Sequence, residues 1–133
     1  VLGYLAMVTI KHAVARHRPP VDGRLLDIHT YSFPSGHAMM SMIVYGLVAV
    51  VAHRTSAWVG RHSWVVIAAP ILSIAIGLTR IYLGVHWTTD VICGWLIGAA
   101  WVAAVALLLR WWAPTEREHI PHRDHHIEQK EHP

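Results

Sequence analysis

The chain is short of charge, of acid and of sulfur. Only 14% of its 133 residues are charged, and just eight are acidic; soluble domains carry roughly a quarter charged residues. The single cysteine, Cys93, lies inside an apolar run, which excludes a disulfide framework and leaves no thiolate set for a metal. A formal net charge of +3 is too small and too dispersed to mark a nucleic-acid partner. Polar faces are scarce as well. The runs "MIVYGLVAVVA" and "WVVIAAPILSIAIGL" have almost none, and "VICGWLIGAAWVAAVALLL" has none. A helix that is apolar all round is buried either in a protein core or in lipid.

What the chain does contain points to lipid. The last run, residues 91–109, matches the roughly 20 residues that cross a bilayer. The two earlier runs are shorter, and also compatible with the core of a small soluble bundle. Four of the seven tryptophans, Trp64, Trp87, Trp111 and Trp112, fall at run ends, where indoles form interfacial belts. The expected fold is therefore all-α, a transmembrane bundle of about four helices. The first covers residues 1–17 and stops at Pro19 and Pro20, because proline cannot continue the hydrogen-bond ladder. The second covers residues 35–53, the third 64–80 with a kink at Pro70, and the fourth 88–112. "RTSAWVGRHS" reads as a plain link between the second and third. Residues 113–133 are charged, rich in proline and without apolar periodicity, and are expected to form a disordered tail. The domain reading is thus a membrane-embedded unit over 1–112 and a His-rich tail over 113–133.

If each segment crosses once, the end of the first helix, the start of the second, the end of the third and the start of the fourth share one face. On that face fall "KHAVARHRPP", "FPSGH" and "TRIYLGVHWTTD". Lys11 and Arg18 are seven apart, about two helical turns, and are expected on one helix face. Ser35 is placed to cap the second helix, and Gly36 lets backbone approach a ligand. The first N–H groups of that helix suit an anion, and His37 adds an imidazole. Arg80 is a planar cation suited to phosphate. His86 and Asp90 are four apart around a helix start at Thr88 or Thr89, so the carboxylate can accept the imidazole Nδ1–H and leave Nε2 bare. Each element has an ordinary structural explanation: snorkelling cations, a capped helix, an acid favoured in a first turn. Together they make a phosphate clamp with a nucleophile and a spare acid.

At this point the chain resembles the type 2 phosphatidic acid phosphatase (PAP2) superfamily, whose motifs are K-x6-R-P, P-S-G-H and S-R-x5-H-x3-D. Here they stand as Lys11 to Arg18-Pro19, Pro34-Ser35-Gly36-His37, and Thr79-Arg80 to His86 to Asp90. Thr79 replaces the usual serine and keeps a hydroxyl. Membrane members usually have two further helices upstream, so the chain is expected to be the C-terminal catalytic part of a longer protein, and those helices its partner. The resemblance implies an integral-membrane, metal-independent lipid phosphatase with no cofactor. His86 is then the nucleophile, Asp90 its orienting carboxylate, and His37 the general acid and base. Lys11, Arg18, Ser35, Gly36 and Arg80 bind phosphate. The implied substrates are phosphatidic acid, phosphatidylglycerol phosphate or a polyprenyl pyrophosphate such as the undecaprenyl carrier. A vanadate-dependent haloperoxidase shares the constellation, and a non-catalytic membrane module is the remaining alternative.

Arg54, Arg61 and Arg110 lie near helix ends opposite the site. The positive-inside rule puts them in the cytoplasm, with the tail, and places the site on the extracytoplasmic face of an inner membrane. The site face also carries Arg16 and Arg24, which this reading leaves without a role, as it does His12 and His17. Tyr31, Tyr82 and Trp87 are expected as interfacial anchors near the approach to the site. His119, His122, His125 and His126 in the tail are read as solvated side chains, not a metal site, since Pro121 interrupts them.

Overall fold

The computed structural model describes residues 1–20, 28–62 and 64–112. Arg24, the tail and its histidines lie outside them. The described residues form five helices: α1 (Leu2–Val14), α2 (Gly36–Thr55), α3 (Ala57–Arg61), α4 (Trp64–Tyr82) and α5 (Thr88–Trp111). α2, α4 and α5 are each long and apolar enough to cross a bilayer; the 20 residues of α2 span about 30 Å at 1.5 Å per residue. α2 is central, packed on one side against α5 and on the other against α4, with α1 leaning on it more lightly.

The bundle is packed inside out. In α4 the buried residues are Ser73 and Gly77, while Ile67, Ile71, Leu72, Ile74 and Leu78 are exposed. In α5 the buried set is Asp90, Val91, Gly94 and Gly98, with Ile92, Leu96, Leu107 and Leu108 outward. Water would penalise such a surface, but lipid does not distinguish it from a core. Between membrane helices the close approach of small residues takes over the role of apolar burial. At Gly94 an added Cβ would lie 2.9 Å from the Ser35 carbonyl, and at Gly98 it would lie 2.8 Å from the Met39 carbonyl. These two glycines let α5 lie directly on the backbone of α2. Ser73 Oγ sits 2.8 Å from Ser41 Oγ, and Trp95 Nε1 donates to the Ser73 carbonyl at 3.1 Å, joining α4 to its neighbours by polar contacts.

Four local expectations need correction. α1 ends at Val14, three residues before His17, with Ala15 in the left-handed region at φ 48°, ψ 36° and its N–H on the Lys11 carbonyl. Pro19 disfavours helical geometry in the residue before it, and the chain leaves the helix early to run non-helically from Ala15 to Arg18. Lys11 and Arg18 therefore do not share a helix face. The link after α2 contains α3, started by Ser56, whose hydroxyl accepts from the Val59 N–H, and closed by His62 stacked on Trp58 at 4.4 Å. α5 is capped at Trp87 instead of at a threonine: the Asp90 side chain accepts the Trp87 backbone N–H. Ser35 occupies the cap position of α2, yet its side chain makes no capping bond. The third helix needs no such correction: α4 continues through Pro70, as expected of a single segment.

Replacing Gly98 by leucine should force α5 off α2. The expected loss is about 1–3 kcal/mol, typical of overpacking, read as a lowered thermal unfolding midpoint in detergent. An unchanged midpoint would show that the glycine contact does not set the helix spacing.

Candidate active site

The C-terminal end of α1, the N-terminal end of α2, the C-terminal end of α4 and the N-terminal end of α5 come together at one end of the bundle. Lys11, Arg18, Gly36, His37, Arg80 and His86 line a single cavity there of about 200 Å³, with Met7, Ile28, Thr30 and Val85. Three cations from three different segments thus face two imidazoles across a space suited to a small anion.

Lys11 and Arg18 are held by backbone carbonyls, Arg80 by a neighbouring hydroxyl. Lys11 Nζ donates to the carbonyls of Tyr31 (2.8 Å) and Pro34 (3.1 Å), which fixes the approach to α2. Arg18 donates from Nε to the Thr30 carbonyl at 2.6 Å and from Nη1 to the Val85 carbonyl at 2.6 Å. Its Nη2 reaches Thr30 Oγ1 at 3.0 Å and the Tyr31 carbonyl at 3.3 Å. Arg80 Nε donates to Thr79 Oγ1 at 3.1 Å, while that hydroxyl donates back to the Ile76 carbonyl at 2.7 Å. The hydroxyl at position 79 is therefore in use, and a threonine supplies it as well as a serine.

Ser35 is fully buried, and its Oγ has no hydrogen-bond partner among the described residues. An unsatisfied buried hydroxyl carries a penalty of roughly 1–3 kcal/mol. Its main chain is engaged instead: the Ser35 N–H donates to the Asp90 carbonyl at 3.0 Å. The expected cap is thus a spare donor beside the free N–H groups of a 20-residue helix, where an anion is favoured.

His86 is buried and sits between an acid and a base. Its Nε2 is 3.3 Å from Arg18 Nη1. A guanidinium can only donate, so Nε2 carries the lone pair and Nδ1 the proton. Nδ1 faces Asp90 Oδ2 at 3.5 Å, which is ion-pair range and longer than a formed hydrogen bond; Nδ1 has no bonded partner. Catalytic hydrogen bonds are often this long without substrate and tighten on binding. Burial, reinforced by the Arg18 cation, pushes the His86 imidazole down to about 4, against the opposing pull of Asp90. The ring is neutral, it lines the cavity, and its Nε2 lone pair is met by Arg18.

Arg16 went unassigned in the sequence. Its Nη1 donates to Asp90 Oδ1 at 2.7 Å and to Thr89 Oγ1 at 2.7 Å. With the chain before Pro19 out of the helix, Arg16 can reach the start of α5 along with Arg18. Trp87, read as an interfacial anchor, is also part of the frame, since its Nε1 donates to the His17 carbonyl at 3.0 Å. Tyr82 is exposed and does not line the cavity.

A second, larger hollow of about 510 Å³ adjoins the first and shares Met7, Gly36 and His37 with it; Tyr4, Met40, Ser41, Val44, Tyr45 and Ile76 complete a mostly apolar lining.

A bundle of membrane-capable helices with a cationic, imidazole-bearing hollow at one end defines a helical membrane protein whose hollow suits an anion. The family model of the PAP2 superfamily matches residues 1–114, and the chain belongs to that family. It is 34% identical over 90 residues to phosphatidylglycerophosphatase B of Bacillus subtilis (strain 168), covering 67% of this chain and 44% of that protein. It is 33% identical over 87 residues to an undecaprenyl-diphosphatase of Sulfolobus acidocaldarius, covering 65% and 37%. The crystal structure of a transmembrane PAP2-type phosphatidylglycerolphosphate phosphatase from Bacillus subtilis superposes with a TM-score of 0.78 at 28% identity, over 87% of this chain and 57% of that one. The chain thus spans less than half the length of these two curated relatives. With three helices of spanning length among the described residues and a transmembrane relative of the same fold, it belongs to a multi-pass membrane protein.

The protonation state of His86 is directly measurable. In labelled protein in nanodiscs, its ring should stay neutral well below the ordinary imidazole range, titrating near 4. Arg18→Ala should raise that value, since a cation is removed, without restoring the free-imidazole value, since burial remains. Titration near 6.5 in the unmodified protein would contradict this electrostatic picture.

Proposed function

We propose that the protein is a lipid phosphatase that works through a phosphohistidine, with no metal and no cofactor. The observation that carries this reading is the neutral, buried His86, lining a cavity with Lys11, Arg18 and Arg80 and holding its Nε2 lone pair against the Arg18 guanidinium.

The lone pair on His86 Nε2 attacks phosphorus, and the bond to the lipid oxygen breaks. His37, protonated as the negative charge of the phosphate enters among the cations, donates that proton to the departing oxygen. The phosphohistidine ring keeps its Nδ1–H and carries positive charge, which the Asp90 carboxylate at 3.5 Å stabilises as the contact tightens. His37, now neutral, takes a proton from water as the water attacks phosphorus. The P–N bond breaks, its electrons return to Nε2, and inorganic phosphate leaves. Arg18, which touches Nε2 before substrate arrives, turns its donors to the phosphate oxygens. Lys11, Arg80, Ser35 Oγ and the Gly36 N–H complete the cradle, and the three cations supply the neutralisation that a metal ion provides elsewhere.

A lipid substrate is supported by the apolar hollow that opens at His37, where the leaving oxygen would sit. A hydrocarbon tail placed among Met40, Val44 and Tyr45 leaves the head group in the polar cavity. The names of the relatives point the same way, toward phosphatidylglycerol phosphate and undecaprenyl diphosphate; phosphatidic acid has the same chemistry. We place the site on the extracytoplasmic face and residues 113–133 in the cytoplasm, because Arg54, Arg61 and Arg110 end α2, α3 and α5 at the far side of the bundle from the cavity. Residues 1–112 then form the membrane-embedded phosphatase part and residues 113–133 its tail.

Release of phosphate from phosphatidic acid and from farnesyl diphosphate in excess EDTA tests the chemistry. Wild type should be active under these conditions, and His86→Ala inactive. Ser35→Ala should lose about 100- to 1,000-fold in kcat, the scale for one transition-state donor. Full activity in His86→Ala would end the nucleophile assignment, and loss of wild-type activity in EDTA would end metal independence. For the orientation, protease added to sealed right-side-out vesicles should leave the tail intact; its removal would reverse the assignment.

A further inference from the structure

One half-buried charge pair, that of Arg16 with Asp90, is not used by the chemistry above. Asp90 is 0% exposed, and its Oδ1 meets Arg16 Nη1 at 2.7 Å. The same nitrogen binds Thr89 Oγ1 at 2.7 Å, and the guanidinium lies 5.6 Å from the centre of the Trp87 ring. The other carboxylate oxygen, Oδ2, accepts the Trp87 N–H at 3.0 Å and faces His86 Nδ1. A carboxylate held through one oxygen can still swing about its Cβ–Cγ bond. Held through both, its plane is fixed.

We propose that Arg16 is a positioning residue for the His86–Asp90 pair, pinning Oδ1 so that Oδ2 is presented to His86 Nδ1. This rests on the phosphatase reading and deepens it. Arg16 is itself set in a rigid frame. Its carbonyl accepts the Ser32 N–H at 2.8 Å and the Ser32 hydroxyl at 3.1 Å; the next carbonyl, that of His17, accepts the same hydroxyl at 3.0 Å and the Trp87 indole at 3.0 Å. The short segment after α1 is therefore sewn to both the entry of α2 and the entry of α5. A side chain on such a frame can hold another in register, as an oriented site requires.

Direct phosphate binding by Arg16 is the competing role, and geometry separates the two. Arg16 is absent from the lining of the cavity that holds Lys11, Arg18, Arg80, His37 and His86; it opens on an adjoining hollow with His17, His29 and Tyr31, and Arg18, Ile28 and Thr30 stand between the two. Its side chain is 38% exposed on that outer side. It reaches the reaction through Asp90.

The charged and titratable groups facing the pair are Arg16 and Arg18 from the segment after α1, Lys11 from α1, His37 from α2 and Arg80 from α4. Removing Arg16 frees the carboxylate to pull harder on the imidazole proton. His86 then holds a proton at higher pH, and since only the neutral ring attacks, activity is lost earlier on the acid side.

The test uses the full-length protein reconstituted in phosphatidylcholine vesicles, with short-chain phosphatidic acid and farnesyl diphosphate as probes. Arg16→Ala should lower kcat about 10- to 100-fold, the scale on which removing an outer partner of an oriented histidine acts at metal sites. KM, and inhibition by inorganic phosphate, should hold. The acid limb of kcat/KM should move to higher pH, and Arg16→Lys should recover part of both effects, since it restores the charge without the fork. Arg18→Ala should instead raise KM and weaken phosphate inhibition. If Arg16→Ala does not fold, Arg16→Lys and Arg16→Gln carry the comparison, with the glutamine variant showing the alanine pattern. The inference is overturned by unchanged kcat, by an Arg18-like pattern, or by a kcat loss with an unmoved pH limb and no rescue by lysine. Those outcomes leave the phosphatase reading standing, whereas a wild type inactive on both probes removes both.

Discussion

The carboxylate of Asp90 lies where neither water nor lipid can solvate it, and the end of the bundle is arranged to meet that demand. One oxygen takes the Arg16 guanidinium, the other takes the Trp87 N–H, and the backbone carbonyl of the same residue takes the Ser35 N–H. Breaking a buried pair by removing one partner is far more damaging than exchanging both for apolar groups. Asp90 therefore ties together three segments distant in sequence: the stretch after α1, the entry to α2 and the start of α5. The same contacts set the donor-rich end of α2 beside the imidazole of His86. Folding and chemistry meet in one side chain.

That arrangement relies on the inside-out packing beneath it. Gly94 and Gly98 bring α5 onto the α2 backbone, so the start of α5 and the PSGH turn are held at a fixed separation by main chain, not by flexible side chains. The apolar residues released by this scheme face outward, where lipid accepts them. The polar cavity and the apolar hollow meet at Gly36 and His37, on the first turn of α2, so a head group and a tail can be received on either side of one imidazole.

Much of this was legible in the residues. Apolar runs too uniform for a soluble face gave the three spanning helices within a few residues, and the up-and-down path placed Lys11, His37, Arg80 and His86 at one end. The chemistry of bends was harder to read. A helical period extended past Val14 put Lys11 and Arg18 on one face, whereas Pro19 forces the chain out of the helix and Arg18 arrives from a separate segment. Ser35 looked like a cap by residue type, but a cap depends on a side-chain rotamer that sequence does not encode, and its hydroxyl is left unpartnered. α3 is five residues long, below the length at which periodicity carries a signal. Arg16 was hidden because its partner is 74 residues away, and no local pattern reports a contact at that range.

The most direct measurement is to catch the covalent intermediate. Rapid quenching of the full-length protein with lipid labelled at the phosphorus, followed by peptide mapping under alkaline conditions, should place an acid-labile phosphoryl group on His86. Turnover that proceeds with the label on another residue, or with none on the protein at any time before product appears, would contradict a reaction centred on the His86–Asp90 pair.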